Sequence, residues 1–240
     1  MERVAALRQT KLFAELDEKE LAWVARRAAG LHFLTGEMIF FSGEEGKGLF
    51  VVSRGRVRVF QQNLDGREQV MHVDTAGATI AEVPVFDGGP YPASAIAEED
   101  TDVLFIDKRD IHEFCMKHPA FAMKALKMMA ERVRKHAQLV EVLSFHEVGQ
   151  RLALFLLGKA QDAGGTPASR VKLELSLSNH EIAARIGSVR DVVSRALARL
   201  QHEGLVVVES RTVTIVDTRA LRLYVDKRHS GAKPLSPPLK

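Results

Sequence analysis

The sequence predicts an α+β chain: an N-terminal antiparallel β-barrel, a long dimerisation helix, and a C-terminal winged helix-turn-helix. Three observations carry this expectation. Short β-rich runs crowd between Leu31 and Asp107, an unbroken helical pattern runs from Pro119 to Phe145, and Leu177 to Leu205 divides into two helices around Gly187. At 240 residues the chain is longer than most single domains and can bury more than one core. The expected boundaries are 1–118 for the barrel, 119–146 for the helix and hinge, 147–229 for the winged helix and 230–240 for a Pro-rich, flexible tail.

Taking the elements in order, Asp17 to Ala29 turns Leu21, Val24, Ala25 and Ala28 to one helical face. The runs LHFL, MIFF, LFVVS, RVRVFQ, QVMHV, ASAIA and DVLFID then alternate or cluster apolar residues. Turn chemistry such as SGEEGKG, LDGRE and TAGA separates them. Seven or so strands at close spacing predict an antiparallel sandwich or barrel. Cys115, in the apolar rhythm IHEFCMKH, reads as a buried packing residue.

From Pro119 to Phe145 no glycine or proline stops the helix. Ala122, Leu126, Met129, Val133, His136, Val140 and Leu143 fall four and three apart, the seam of a coiled coil interrupted only by His136. A seam of this length needs a partner helix, and the simplest partner is the same helix of a second copy. A second apolar helix, VGQRLALFLLGKAQ, and a polar loop, DAGGTPASR, follow.

The next segment carries the chemistry. Ser178 reads as a helix N-cap with Glu181 completing a capping box, and Ile182, Ala183 and Ile186 form the buried face. Gly187 supplies the turn, and Val193, Ala196, Leu197 and Leu200 line the inside of the second helix. Arg190, Asp191, Ser194 and Arg195 fall on its outer face near its N-terminus, where base edges are met in the major groove. An arginine fork can bond guanine O6 and N7, a carboxylate can accept from cytosine N4, and a serine can contact base or phosphate. The plainer reading makes Asp191 and Arg195 a surface ion pair one turn apart. GLVVVESRTVTIVD reads as a two-stranded wing with Arg211 at its tip. Arg211, together with Ser178, Asn179 and His180 at the first helix's N-terminus, is expected to contact phosphate.

Composition narrows the remaining classes. A net charge of +3 fits a nucleic-acid partner without requiring one. No apolar run approaches the roughly 18 residues of a membrane span, and charges break the N-terminus before a signal peptide can form, so a cytoplasmic protein without a membrane partner is expected. A single cysteine excludes an intrachain disulfide and a Cys-rich zinc or iron–sulfur site. His32 and His72 lie on separate strands with no second close histidine, so neither a metal site nor a catalytic one is predicted.

Barrel, long helix and winged helix-turn-helix in this order resemble the CRP/FNR family, the cyclic AMP receptor protein and its relatives, over nearly the whole chain. The sharpest marks are Val189 to Arg195, the Gly-Arg-Val-Arg-Val run, and IAEVPVFDGGPYPASA from Ile80 to Ala95, which looks like the family's phosphate-binding cassette. The resemblance implies a cyclic-nucleotide-binding-like jelly roll and a homodimeric transcription regulator on an inverted-repeat DNA site. It also implies contact with RNA polymerase if the protein is an activator. Arg190, Asp191 and Arg195 match the family's Arg, Glu and Arg that read a TGTGA-like half-site, with Asp191 one methylene shorter. Ser194 resembles the serine of the FNR-type branch.

In the cassette Glu82 matches the ribose-holding glutamate, but Pro92 and Ala93 stand where cyclic-nucleotide binders have arginine and serine or threonine. A register shifted by one residue brings Ser94 to the serine position and leaves Ala93 for the arginine. Without that cation a buried phosphate loses its main partner, so cyclic AMP and cyclic GMP are not expected ligands. His136 matches a position from which the family contacts its ligand across the dimer. It is read first as an inter-subunit or seam residue. Ligand, pH or haem sensing stays open, since some FNR-like nitric oxide sensors use haem and the Tyr-Pro stretch resembles theirs.

Overall fold

The computed structural model describes residues 2–166, 168–175, 177–210 and 212–226. They divide into two compact units, the first ending at Leu139 and the second beginning at Val140.

The first unit opens with α1 (Glu2–Arg8) and α2 (Glu18–Arg27). Asp17 caps α2, its carboxylate accepting the Lys19 and Glu20 N–H groups at 2.8 Å. The helix is shorter than the expected Asp17 to Ala29: Ala28 turns extended and Ala29 already pairs with Phe105. The strands are β1 (Ala29–Phe33), β2 (Met38–Phe40), β3 (Gly48–Arg54), β4 (Arg56–Gln62), β5 (Glu68–Thr75) and β6 (Thr79–Ile80). After α3 (Glu82–Asp87) come β7 (Ser94–Ala97) and β8 (Thr101–Asp107). They form two antiparallel four-stranded sheets, ordered β1-β8-β3-β6 and β2-β7-β4-β5. In this unit the sequence does not announce β6, which is too short to show a period.

One sheet is buried on both faces. Along β3, Phe50 and Val52 turn toward Phe40, Val59, Ile80 and Tyr91 between the sheets. Leu49 and Val51 turn the other way, toward Leu21, Val24, Phe114 and Phe121 on the helices. Each fully buried side chain of this size contributes about 1.5–3 kcal/mol, which holds the helices to the barrel. Those helices are α2, α4 (Lys108–Lys117) and the first half of α5 (Pro119–Phe145). Cys115 on α4 is only half-buried at the rim of this cluster, a correction to the expected core position, and burial raises its thiol pKa.

Helix α5 has the expected bounds. Phe121 and Ala125 are buried against the barrel, with Met128 packed beside them. The neighbouring stripe is bare: Leu126 is 61%, Val133 66% and Val140 62% exposed.

The second unit contains α6 (Val148–Asp162), β9 (Val171–Glu174), α7 (Asn179–Ile186), α8 (Arg190–His202), β10 (Val206–Glu209), β11 (Thr212–Ile215) and α9 (Thr218–Asp226). The wing strands pair as expected, and β9, not foreseen, adds a third strand to give the order β10-β11-β9. Leu152, Leu156, Ile182, Val193, Leu200, Ile215 and Leu221 make one core beneath the two helices. No helix among the described residues is long and apolar enough to cross a membrane.

Candidate nucleic-acid interface and barrel cavity

In the second unit α7 is capped by Ser178, whose hydroxyl accepts the Glu181 N–H at 3.3 Å while Glu181 Oε2 accepts the Ser178 N–H at 2.7 Å. This is the expected capping box. Gly187 ends α7 in the left-handed region at φ 64°, a conformation that costs a side chain about 1–2 kcal/mol and glycine little. The chain then reverses into α8. Ile182, Ala183, Ile186, Val193, Ala196, Leu197 and Leu200 are all buried.

A residue that sequence reasoning passed over fixes the turn. Arg151 of α6 donates from one guanidinium nitrogen to the Ile186 carbonyl at 2.6 Å and the Gly187 carbonyl at 2.8 Å. It thereby caps the C-terminal end of α7, where a cation also opposes the helix dipole. The sequence signal is a lone charge within the apolar rhythm of VGQRLALFLL.

The outer face of α8 presents Arg190, Asp191, Ser194 and Arg195, all exposed. Among the described residues neither arginine is held by a hydrogen bond or an ion pair, so the alternative of a surface Asp191–Arg195 pair is not realised. Ser194 is engaged: its hydroxyl donates to the Arg190 carbonyl at 3.1 Å and accepts from Asn179 Nδ2 at 2.9 Å. Asn179, expected at phosphate, here ties the start of α7 to the outer face of α8. Ser178 and His180 are exposed in the first turn of α7, and Arg211 lies outside the described residues. Two free guanidinium forks on one exposed helix face can bond base edges or phosphates.

In the first unit, Glu82, Pro92, Ala93 and His136 line one cavity of about 330 Å³. Ser94 is absent from that lining, because its hydroxyl turns to accept the Ser42 N–H at 3.0 Å. The cassette helix α3 is entered through Ala81 at φ 67°. Gly46 lies against it so closely that an added Cβ would meet Pro84 Cβ at 2.1 Å. Pro92 offers its carbonyl to Gln61 Nε2, and Tyr91 stacks on Phe40 with ring centroids 4.1 Å apart.

Pro92 and Ala93 carry no charge, yet the cavity has a cation. Arg132, from α5, places Nη1 2.9 Å from Glu82 Oε2 and donates from its other nitrogen to the Thr79 carbonyl. The Thr79 hydroxyl donates to the other oxygen of Glu82. The Glu82 carboxyl is 1% exposed; burial pushes its pKa up, while Arg132 and Thr79 oppose that shift. Sequence reasoning missed Arg132, although it continues the barrel-facing stripe of Phe121, Ala125 and Met128 at helical spacing. A charge at the end of a buried stripe was the available signal.

His136 lies one turn further along α5, its ring 6.3 Å from that of His72. His72 Nδ1 is 2.6 Å from an Asp74 carboxylate oxygen. Partial desolvation, His72 and Arg132 all lower the His136 pKa from its ordinary value. Among the described residues no group of three or more His, Cys, Asp or Glu side chains is arranged to hold a metal.

A family model described as a cyclic nucleotide-binding domain matches residues 31–118, and one described as a Crp-like helix-turn-helix domain matches residues 150–224. The Cyclic AMP receptor protein of Thermus thermophilus is 32% identical over 186 residues, 78% of this chain and 83% of that protein. The CRP-like cAMP-activated global transcriptional regulator of Mycobacterium tuberculosis is 26% identical over 215 residues, 90% of this chain and 96% of its own. Among solved structures, a mutant of CooA from Carboxydothermus hydrogenoformans superposes with a TM-score of 0.71 at 25% identity, covering 88% of this chain and 91% of that one.

Proposed function

The chain belongs to the CRP/FNR family of DNA-binding transcription regulators, and from that premise we propose that it reads an inverted-repeat site as a homodimer, under an effector other than a cyclic nucleotide. One observation carries the DNA reading: Arg190 and Arg195 stand exposed and unengaged on α8, above a turn pinned by Arg151. The dimer reading rests on Leu126, Val133 and Val140, a bare apolar stripe at heptad spacing on a long helix. In this reading residues 1–118 sense, 119–146 dimerise and 147–229 bind DNA. Phosphate is met by Ser178, Asn179, His180 and Arg211, and RNA polymerase is a partner if the protein activates.

The effector reading rests on Pro92 and Ala93 in the cassette and on Arg132 being committed to Glu82. Calorimetry with cyclic AMP and cyclic GMP tests it, and micromolar binding of either overturns it. Selection from a random DNA pool tests the rest. Recovery of inverted half-sites is expected, and an asymmetric site counts against the dimer.

A second reading has one observation in its favour. Arg132 brings a guanidinium to the cassette from α5, and a cyclic phosphate able to draw it from Glu82 would make this a nucleotide-responsive regulator with an atypical cassette. The same calorimetry separates the two, with Arg132→Ala abolishing any nucleotide binding under this second reading.

A further inference from the structure

Resting on the reading that the effector is not a cyclic nucleotide, we infer that the barrel cavity takes an uncharged, largely apolar organic molecule whose one hydrogen-bonding group meets the imidazole of His136. A volume of about 330 Å³ suits a small organic ligand, at the lower end of the roughly 300–1,000 Å³ of such sites.

The two charged groups around it face each other as an ion pair, although Glu82 Oε2 accepts no hydrogen bond. The Glu82 carboxylate faces the Arg132 guanidinium at 2.9 Å, and that guanidinium also bonds the Thr79 carbonyl. An anion would have to displace a carboxylate that is itself 1% exposed, and would face it at close range; a cation would meet Arg132. Gln61 is spent on the Pro92 carbonyl, Tyr91 Oη accepts the Lys47 N–H at 3.3 Å, and His72 Nδ1 is held by Asp74. His136 is different: it stands exposed at the cavity's edge, and among the described residues it makes no hydrogen bond and no ion pair. A neutral imidazole offers one donor and one acceptor, which suits a hydroxyl or a carbonyl. The remaining wall is apolar, with Phe40, Val59, Met71, Met129 and Val133 among its members. An uncharged ligand can bury its surface there without breaking any existing polar contact.

The test uses the full-length protein and N-phenyl-1-naphthylamine, an uncharged probe that fluoresces in apolar surroundings. It is then displaced by naphthalene-2-methanol, 2-naphthoate and 2-naphthylmethylammonium, which share a ring system and differ in charge. The probe is expected to bind, and the alcohol to displace it at a concentration about tenfold below either ion, a difference of about 1.4 kcal/mol. Pro92→Trp, at an exposed position on the cavity wall, and Met71→Trp, on the opposite strand, should each abolish probe binding while circular dichroism remains native. His136→Phe should remove the advantage of the alcohol over 2-methylnaphthalene. Displacement by naphthoate or the ammonium at equal concentration, probe binding unchanged in both tryptophan variants, or no binding at all overturns the inference. Cyclic AMP in the same assay separates the two readings: micromolar displacement by cyclic AMP overturns the non-nucleotide reading itself, whereas failure of the alcohol with no response to cyclic AMP overturns only the ligand class.

Discussion

The guanidinium of Arg132 lies 2.9 Å from the buried carboxylate of Glu82, so the cation absent from the cassette's own loop reaches it from the long helix. The pair joins the sheet end at Thr79 to α5 through three groups, since Arg132 also holds the Thr79 carbonyl and Thr79 holds Glu82. Removing one member leaves the other charge buried. Arg132→Leu should therefore destabilise the protein by about 3 kcal/mol in urea unfolding, whereas adding Glu82→Gln to it recovers most of that loss. Additive losses in the double-mutant cycle would mean that the two groups do not interact.

Arg151 makes the corresponding contact in the second unit. A charged donor on two carbonyls is worth about 1.5–3 kcal/mol, and its loss leaves the end of α7 unsatisfied. Arg151→Met, which keeps the aliphatic stem, should lower stability by that amount and weaken DNA binding although Arg151 is not on the recognition face. Amide exchange is the sensitive measurement, with faster exchange confined to α7 and the turn at Gly187. Unchanged exchange there would assign any binding defect to a direct DNA contact.

The pH dependence follows from His136. Its pKa is lowered from 6.5, so the folded state binds a proton less readily than the unfolded chain. A lowered histidine pKa contributes stability that is complete above the unfolded value and is lost as pH falls through the folded one. Between about pH 7 and about pH 5 the urea midpoint of the wild type should thus fall more than that of His136→Gln. The groups facing His136 in this window are His72, carrying Asp74, and Arg132. Parallel curves for the two proteins would remove the histidine from the account.

For the recognition helix, Arg195→Ala should cost about 1–3 kcal/mol on the best site and relax preference at one base pair. Asn179→Ala should behave differently. It removes the donor that holds the Ser194 hydroxyl at 2.9 Å, so its effect should overlap with that of Ser194→Ala rather than add to it. Binding titrations of the two single variants and the double on one oligonucleotide decide this.

Local pattern carried much of this molecule, and its limits are physical. The helix Pro119 to Phe145, the capping box at Ser178 and the glycine turn at Gly187 depend on neighbours within a few residues, and all three were legible. β6 is only Thr79–Ile80, below any period, and α3 enters through Ala81 in a left-handed conformation that no local residue preference announces. Arg132 and Arg151 find their partners far along the chain, so spacing could mark them as misplaced charges but could not say what they hold. Sequence register alone places Ser94 in the cavity, whereas its hydroxyl is spent on the Ser42 backbone.

The exposed stripe of α5 makes the last prediction. Leu126 and Val140 are 61% and 62% exposed, and neither lines the barrel cavity, so a charge at either is tolerated by the isolated chain. Leaving such a stripe in water forgoes about 25 cal/mol for each Å² that a partner helix would cover, which is the driving force for pairing. Leu126→Glu and Val140→Glu should each place like charges across a symmetric seam and shift the protein from dimer to monomer in sedimentation equilibrium. Circular dichroism should stay native, because neither side chain belongs to a buried cluster. The monomer should then bind a single half-site about as well as before and lose its preference for an inverted pair. A wild-type protein that sediments as a monomer, or variants that remain dimeric, would place the covering surface somewhere other than this helix.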